Sequence, residues 1–242
     1  MGKNLTQQKR GKGSTAFRSP GFKFLGKVSH RSYTKNEVEG VNRGKIMDIL
    51  HSPAHSGPVA KVMFEDKESS LMLAPTGVRV GDMVESGAAA APANGNTLPL
   101  SKIPDGREIY NIESQPGDGG KFVRTSGISG TVLSKSQEKV LVLLPSKEKK
   151  EFNTNCRATI GVIAGSGRVE KPMLKAGAMH FKMKARNRYY PKVSAGAMNA
   201  VDHPYGGSSS QHKGKPRIAR KYAPAGAKVG KLKPSRTGRR NK

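Results

Sequence analysis

Acid–base chemistry needs at least a carboxylate set against an imidazole, and this chain offers that pair once, at Asp202-His203. A carboxylate can orient and charge a histidine ring, which is how many general bases are built. The pair stands in Met198-Asn199-Ala200-Val201-Asp202-His203-Pro204-Tyr205-Gly206-Gly207. Adjacent side chains of an extended segment point apart, and no nucleophile or third partner accompanies these two. The expectation is therefore a structural pair, in which Asp202 or His203 hydrogen-bonds nearby backbone or a base edge.

Other reactive residues lead away from catalysis too. Cys156 is the single cysteine, so an internal disulfide is excluded, and within Asn153-Thr154-Asn155-Cys156-Arg157 it reads as a small buried strand residue. His51 and His55 stand four apart, but Pro53 between them prevents the helix that would bring both to one metal. Gly161-Val162-Ile163-Ala164-Gly165-Ser166-Gly167-Arg168 lacks the Gly-Lys-Ser/Thr ending of a nucleotide phosphate loop. Gly117-Asp118-Gly119-Gly120-Lys121 has two readings: an anion nest of backbone N–H groups closed by a lysine, or an ordinary hairpin turn. No enzyme, cofactor, metal site or small-molecule substrate is expected.

Charge is the stronger signal. The 242 residues carry 44 Lys+Arg against 17 Asp+Glu, a net charge of +27 and a pI near 10.4, the electrostatic footprint of a nucleic-acid binder. The distribution is uneven. Residues 1–50 have net +8, residues 51–150 net +1, residues 151–200 net +7 and residues 201–242 net +11. A nearly neutral middle can fold by itself, whereas the ends repel themselves and require a polyanion. Residues 1–36 hold nine Lys/Arg and no acid, punctuated by Phe17, Phe22 and Phe24. They read as an arm that is disordered alone and ordered on RNA. No apolar run reaches the length of a membrane span, and the N-terminus lacks an apolar signal core. A cytoplasmic protein with no membrane partner is expected.

These residues must be positioned by short strands. Apolar runs at Lys45–Leu50, Val59–Phe64, Leu71–Ala74 and Val78–Val84 are separated by turn residues, as in an antiparallel barrel or sandwich. A second set follows at Ile109–Ile112, Lys121–Arg124, Gly130–Leu133, Val140–Leu144 and Thr159–Ile163. The uniformly apolar Val140–Leu144 suggests a strand buried on both faces. An all-β chain of two small barrels in tandem fits the length. A short helix is expected around Leu174–Lys184 despite Gly177, and residues 204–242 read as an extended arm.

The Met198–Gly207 segment closely resembles the signature of the universal large-subunit ribosomal protein L-two family. Four further stretches agree, in order: Gly95-Asn96-Thr97-Leu98-Pro99-Leu100, Pro116-Gly117-Asp118-Gly119-Gly120-Lys121, Asn155-Cys156-Arg157-Ala158-Thr159-Ile160-Gly161 and Arg236-Thr237-Gly238-Arg239-Arg240. The short N-terminal arm and Lys228-Val229-Gly230 resemble the archaeal/eukaryotic branch. Ser194-Ala195-Gly196 lacks an expected arginine, and Tyr205 replaces the second histidine of bacterial members. The resemblance implies an OB-like barrel followed by an SH3-like barrel, with both termini threading into ribosomal RNA. In residues, the layout is a basic arm at 1–36, the OB-like barrel at 37–108, the SH3-like barrel at 109–175 and a basic extension at 176–242. It also implies a place near the peptidyl-transferase region, a part in subunit association, and neighbouring ribosomal proteins as partners. The family's discussed histidine falls on His203, for which a supporting role fits this sequence better than catalysis.

The expected function is thus structural: binding and stabilising large-subunit ribosomal RNA. Phosphate contacts are expected from Lys3, Lys9, Arg10, Lys12, Arg18, Lys121, Arg124, Arg157, Arg168, Lys182, Lys184, Arg186, Arg188, Arg236, Arg239 and Arg240. Tyr189, Tyr190 and His203 are expected to stack on or hydrogen-bond to unpaired bases. Two other functions would fit a basic barrel protein. A general single-strand or DNA-compacting protein would show no preference for ribosomal RNA, and an RNA-modifying enzyme would need a cofactor pocket that the sequence does not display.

Overall fold

The computed structural model of the chain describes residues 2–18, 21–209 and 212–231. They fall into two compact units, one of residues 21–172 and the other of the described residues within 1–20 and 173–242.

The first unit is mostly β. Its strands are β1 (Asn42–Leu50), β2 (Val59–Phe64), β3 (Ser69–Leu73), β4 (Met83–Ser86), β5 (Thr97–Pro99), β6 (Glu108–Tyr110), β7 (Gly130–Lys135), β8 (Lys139–Leu143), β9 (Lys149–Asn153) and β10 (Arg157–Ile160). A five-residue helix, α1 (Lys35–Glu39), precedes them. The strands hydrogen-bond in the order β3-β2-β1-β4-β5-β10-β6-β7-β8-β9. Neighbours are antiparallel except β4 and β5, which meet in parallel at Ser86 and Thr97. The insertion of β10 between β5 and β6 draws residues 157–160 back among strands formed some fifty residues earlier in the chain.

Side-chain alternation explains the strands. In β2, Val59, Ala60, Val62 and Phe64 are buried while Lys61 and Met63 face out. Its partner β1 bulges between Ile46 and Asp48, which adds local twist. Gly44 of β1 has a packing role, because a Cβ there would come within 2.8 Å of both Val62 and Phe64. Ile46, Ala60, Val62, Phe64, Ala74 and Val84 form one apolar cluster. A larger one gathers Leu98, Leu100, Ile103, Ile109, Val132, Val142 and Ile163 with Val28, Val59 and Leu73.

Several expected strands differ from those observed. Residues 78–82 are a turn, with Gly81 at φ +98° and the Asp82 carboxylate accepting from the Arg79 N–H, so of that run only Met83 and Val84 lie in a strand, β4. Residues 121–124 are not a strand either. Val123 sits at φ +51°, and Phe122 meets Ile112 through a single bridge. β8 is buried on one face only: Val140 and Val142 point inward, Lys139 outward. β5 and β9 were not legible as strands, since Thr97-Leu98-Pro99 is short and Lys149-Lys150-Glu151-Phe152-Asn153 is dominated by charge.

The second unit holds the expected helix, α2 (Ala176–Ala185), together with 3-10 turns at Thr6–Lys9 and Ala195–Ala197. None of the α2 residues is buried. The rest is irregular backbone tied by turns and by a bridge between Ile218 and Lys231. Among the described residues, no helix is long and apolar enough to cross a membrane.

Candidate nucleic-acid interface

Not every cation picked from the sequence lies on the surface. Arg157 opens β10 and is 1% exposed. Its Nε and Nη2 donate to Glu113 Oε1 at 3.2 and 2.8 Å, its backbone N–H donates to Glu113 Oε2 at 2.9 Å, and Nη2 also reaches the Arg31 carbonyl. Glu37, from α1, lies 3.6 Å from Arg157 Nη1 and accepts from Ser86 Oγ. Arg31 is likewise buried and pairs with Asp66 and Glu68, its guanidinium over the Phe64 ring. Arg157 is therefore corrected from a phosphate ligand to an internal counter-ion: a guanidinium this deep is stable only beside carboxylates. Burial alone would push the Glu113 carboxyl up; the hydrogen bonds and charge of Arg157 outweigh it and hold it below the ordinary glutamate range.

His30 belongs to the same cluster. Its Nε2 lies 2.6 Å from the Asn111 carbonyl and its backbone N–H donates to Gly119. Burial, reinforced by the Arg157 charge, lowers its pKa to about 4. Within the stretch read as an arm, Val28, His30 and Arg31 thus pack into the first unit.

The glycine-rich loop before Lys121 combines its two readings. It returns the chain from Ile112 to Phe122 as a hairpin connection would, and it is also a nest, but the anions it holds are the chain's own. Glu113 accepts from the N–H groups of Gly117 and Gly119, and Asp118 from those of Ser114, Gln115 and Gly120. Gly120 at φ +95° touches Asn111 so closely that a Cβ would overlap its side chain. Lys121 is exposed at the loop's edge, 3.2 Å from Asp118. Arg124 is half-buried and donates to the carbonyls of Val28 and Gly120, while Arg168 donates to Ser126 Oγ.

The second unit brings together residues far apart in sequence. A cleft of about 270 Å³ is lined by Arg18 from the N-terminal segment and by His180, Lys184, Arg188, Tyr189 and Tyr190 from α2 and the residues after it. An adjoining hollow of about 490 Å³ shares Arg18 and adds Arg10 and Phe17. Phe17 is buried, 6.1 Å from the Tyr189 ring and 4.8 Å below the Arg10 guanidinium. No carboxylate lines either hollow. Lys9, Lys12 and Arg186 are exposed in this unit and Lys182 is half-exposed. His180 was missed in the sequence, although its spacing of four from Lys184 on α2 carries the signal.

The Asp202-His203 pair is not a dyad. The Asp202 carboxylate lies 3.9 Å from Lys3 Nζ, and the Lys3 N–H donates to the Val201 carbonyl. His203 Nδ1 accepts the Tyr205 N–H at 3.0 Å, which leaves Nε2 as the protonated, donating nitrogen. Burial lowers the pKa of this ring, favouring the neutral form. The turn closes through Gly207 N–H to Met198 and through Asp202 and His203 N–H to Asn199. Arg236, Arg239 and Arg240 lie outside the described residues.

Comparison with known proteins accounts for nearly the whole chain. Residues 3–86 match the family described as Ribosomal Proteins L2, RNA binding N-terminal domain, and residues 93–225 match Ribosomal Proteins L2, C-terminal domain. The chain is 48% identical over 240 residues to the large ribosomal subunit protein uL2 of Methanosphaera stadtmanae, covering 99% of this chain and all of that protein. It is 49% identical over 239 residues to that of Haloarcula marismortui, covering 99% and 98%. With the protein of that name from Natronomonas pharaonis the identity is 47% over 242 residues, covering 100% and 98%.

Proposed function

Because the chain belongs to the uL2 family of large ribosomal subunit proteins, we propose that it binds and braces large-subunit ribosomal RNA as a structural component with no chemistry of its own. The carrying observation is the cleft in which Arg18 meets Lys184, Arg188, Tyr189 and Tyr190 without any carboxylate. Cations and tyrosines at one opening suit a strand whose phosphates are neutralised while a base stacks. Lys3, Lys9, Arg10, Lys12, Lys121, Arg124, Arg168, Lys182 and Arg186 extend the footprint. Recognition is mainly of shape and backbone, since the deep major groove of A-form RNA excludes side chains. His203, a neutral Nε2 donor on a fixed turn, supports RNA structure.

The alternating strands of each half of the sheet support an OB-like barrel at 37–108 and an SH3-like barrel at 109–175, flanked by basic segments at 1–36 and 176–242. The likeness of Met198–Gly207 to the family signature supports a place near the peptidyl-transferase region, a part in subunit association, and neighbouring ribosomal proteins as partners in the cytoplasmic ribosome.

The test is salt-dependent binding of the full chain to large-subunit RNA, with random RNA and duplex DNA as competitors. Replacing Arg18, Lys184 and Arg188 with Ala should weaken binding and flatten the log–log salt slope by about 2–3, at 0.7–0.9 per phosphate contact. An unchanged slope removes these three from the footprint. Equal binding to every polyanion would favour a general compaction protein instead.

A further inference from the structure

A second cleft, of about 770 Å³, opens in the C-terminal segment, where Pro204 and Tyr205 of the 198–207 segment meet residues 215–229. Its walls are apolar: Tyr205, Ile218, Ala223 and Val229 line it together with prolines. Lys215, Arg220 and Lys221 also line it, and no acidic residue occurs anywhere in 203–242. A site for phosphate alone needs no apolar lining, and an apolar peptide would need no ring of cations. The combination suits one ligand class, a nucleobase swung out of its stack with its own phosphate still attached.

The cleft is built rather than incidental. Two segments are tied across it, with the Ala219 N–H donating to Lys231 and the Lys231 N–H to Arg217, each at 2.8 Å. The Tyr205 hydroxyl lies 3.4 Å from the carbonyls of both Pro216 and Val229. Gly230, at φ +85°, lets the backbone pass, since a Cβ there would come within 2.5 Å of both Arg217 O and the Tyr205 hydroxyl. Tyr222 stands 87% exposed at the same cleft, its ring 5.1 Å from Lys221 Nζ and open for stacking.

We propose that this cleft receives a single unstacked nucleotide of the RNA, its base against the apolar wall and Tyr222, its phosphate held by Lys215, Arg220 and Lys221. The inference rests on the RNA-binding reading above and adds a site to it. Stacking of one base is worth enough for its loss to weaken binding about tenfold.

Ultraviolet cross-linking of the full chain on large-subunit RNA, read by mass spectrometry, tests it alongside affinity. The expected result is a nucleobase adduct on Tyr222 or Tyr205. Ala223→Trp, which fills the cleft, should lose that adduct and bind about tenfold more weakly. Ile218→Asp adds charge without bulk and should do the same, and circular dichroism of both variants checks that they fold. No adduct at the cleft and unchanged affinity in both folded variants would overturn the proposal, and so would a cross-link there to a peptide of another protein. If the Arg18, Lys184 and Arg188 substitutions still weaken binding in that case, the RNA-binding reading stands without the cleft. If they too change nothing, those three leave the footprint as well, and equal binding to random RNA and duplex DNA is what would end the RNA-binding reading.

Discussion

Arg157 shows how one residue type serves two opposite purposes. Its donors are spent on Glu113 and on the Arg31 carbonyl, in a place water does not reach. Arg157→Ala should cost about 3–5 kcal/mol in urea unfolding, because Glu113 would remain charged and unpaired. Arg157→Lys should recover only part of it, since one ammonium cannot reproduce the paired Nε and Nη2 donation to Glu113 Oε1 together with the bond to the Arg31 carbonyl. His30 adds a pH signature, facing Arg157, Glu113 and Arg124 while held neutral. The unfolded chain takes up a proton near pH 6.5 and the folded one near 4, so stability is intact above 6.5 and falls as pH drops through that window, by about 3 kcal/mol in all. Denaturation at pH 7 and pH 4.5 measures this, and His30→Gln should remove that part of the dependence. Nothing in the sequence separates Arg157 from a surface arginine, because its counter-ion stands 44 positions earlier. Pairings at that range are set by strand order, not by local pattern.

Elements were legible where periodicity was local. β2 and α2 follow from alternation and composition, whereas β9 needed knowledge of its neighbour: Lys150 and Glu151 are strand residues because β8 offers them a ladder. The glycine-rich loop is open to two readings from sequence, an anion nest or a hairpin turn, and both hold because its anions, Glu113 and Asp118, lie within the same connection. The 198–207 turn depends on contact at Gly206, where a Cβ would come within 2.3 Å of the Met198 carbonyl and 2.5 Å of that of Asn199. Gly206→Ala should open the turn and release His203 Nδ1 from the Tyr205 N–H. Proton chemical shifts of the His203 ring report that change, and a wild-type spectrum in the variant would contradict the geometry.

At the scale of the whole molecule, the two units solve different problems. The first buries apolar clusters and neutralises its inner charges within itself. The second keeps α2 without a buried residue, leaving Phe181 68% and Leu174 89% exposed. A ten-residue helix with no packed face is marginal in water. Amide exchange along 176–185 should therefore be fast in the free chain and slow at least tenfold on large-subunit RNA. Equal exchange in both states would show that RNA does not cover this helix.

The buried charge cluster also bears on how the protein is made. Glu37 leaves the synthesising machinery first, and its counter-ion Arg157 follows 120 residues later. At about 5–20 residues per second, that gap lasts roughly 6–24 s. Until it closes, β10 cannot enter between β5 and β6, and the carboxylates of the nascent chain must stay hydrated. The first unit therefore cannot complete its fold until Arg157 has emerged, and a nascent chain stalled before that point should be open to proteolysis at residues 37–113.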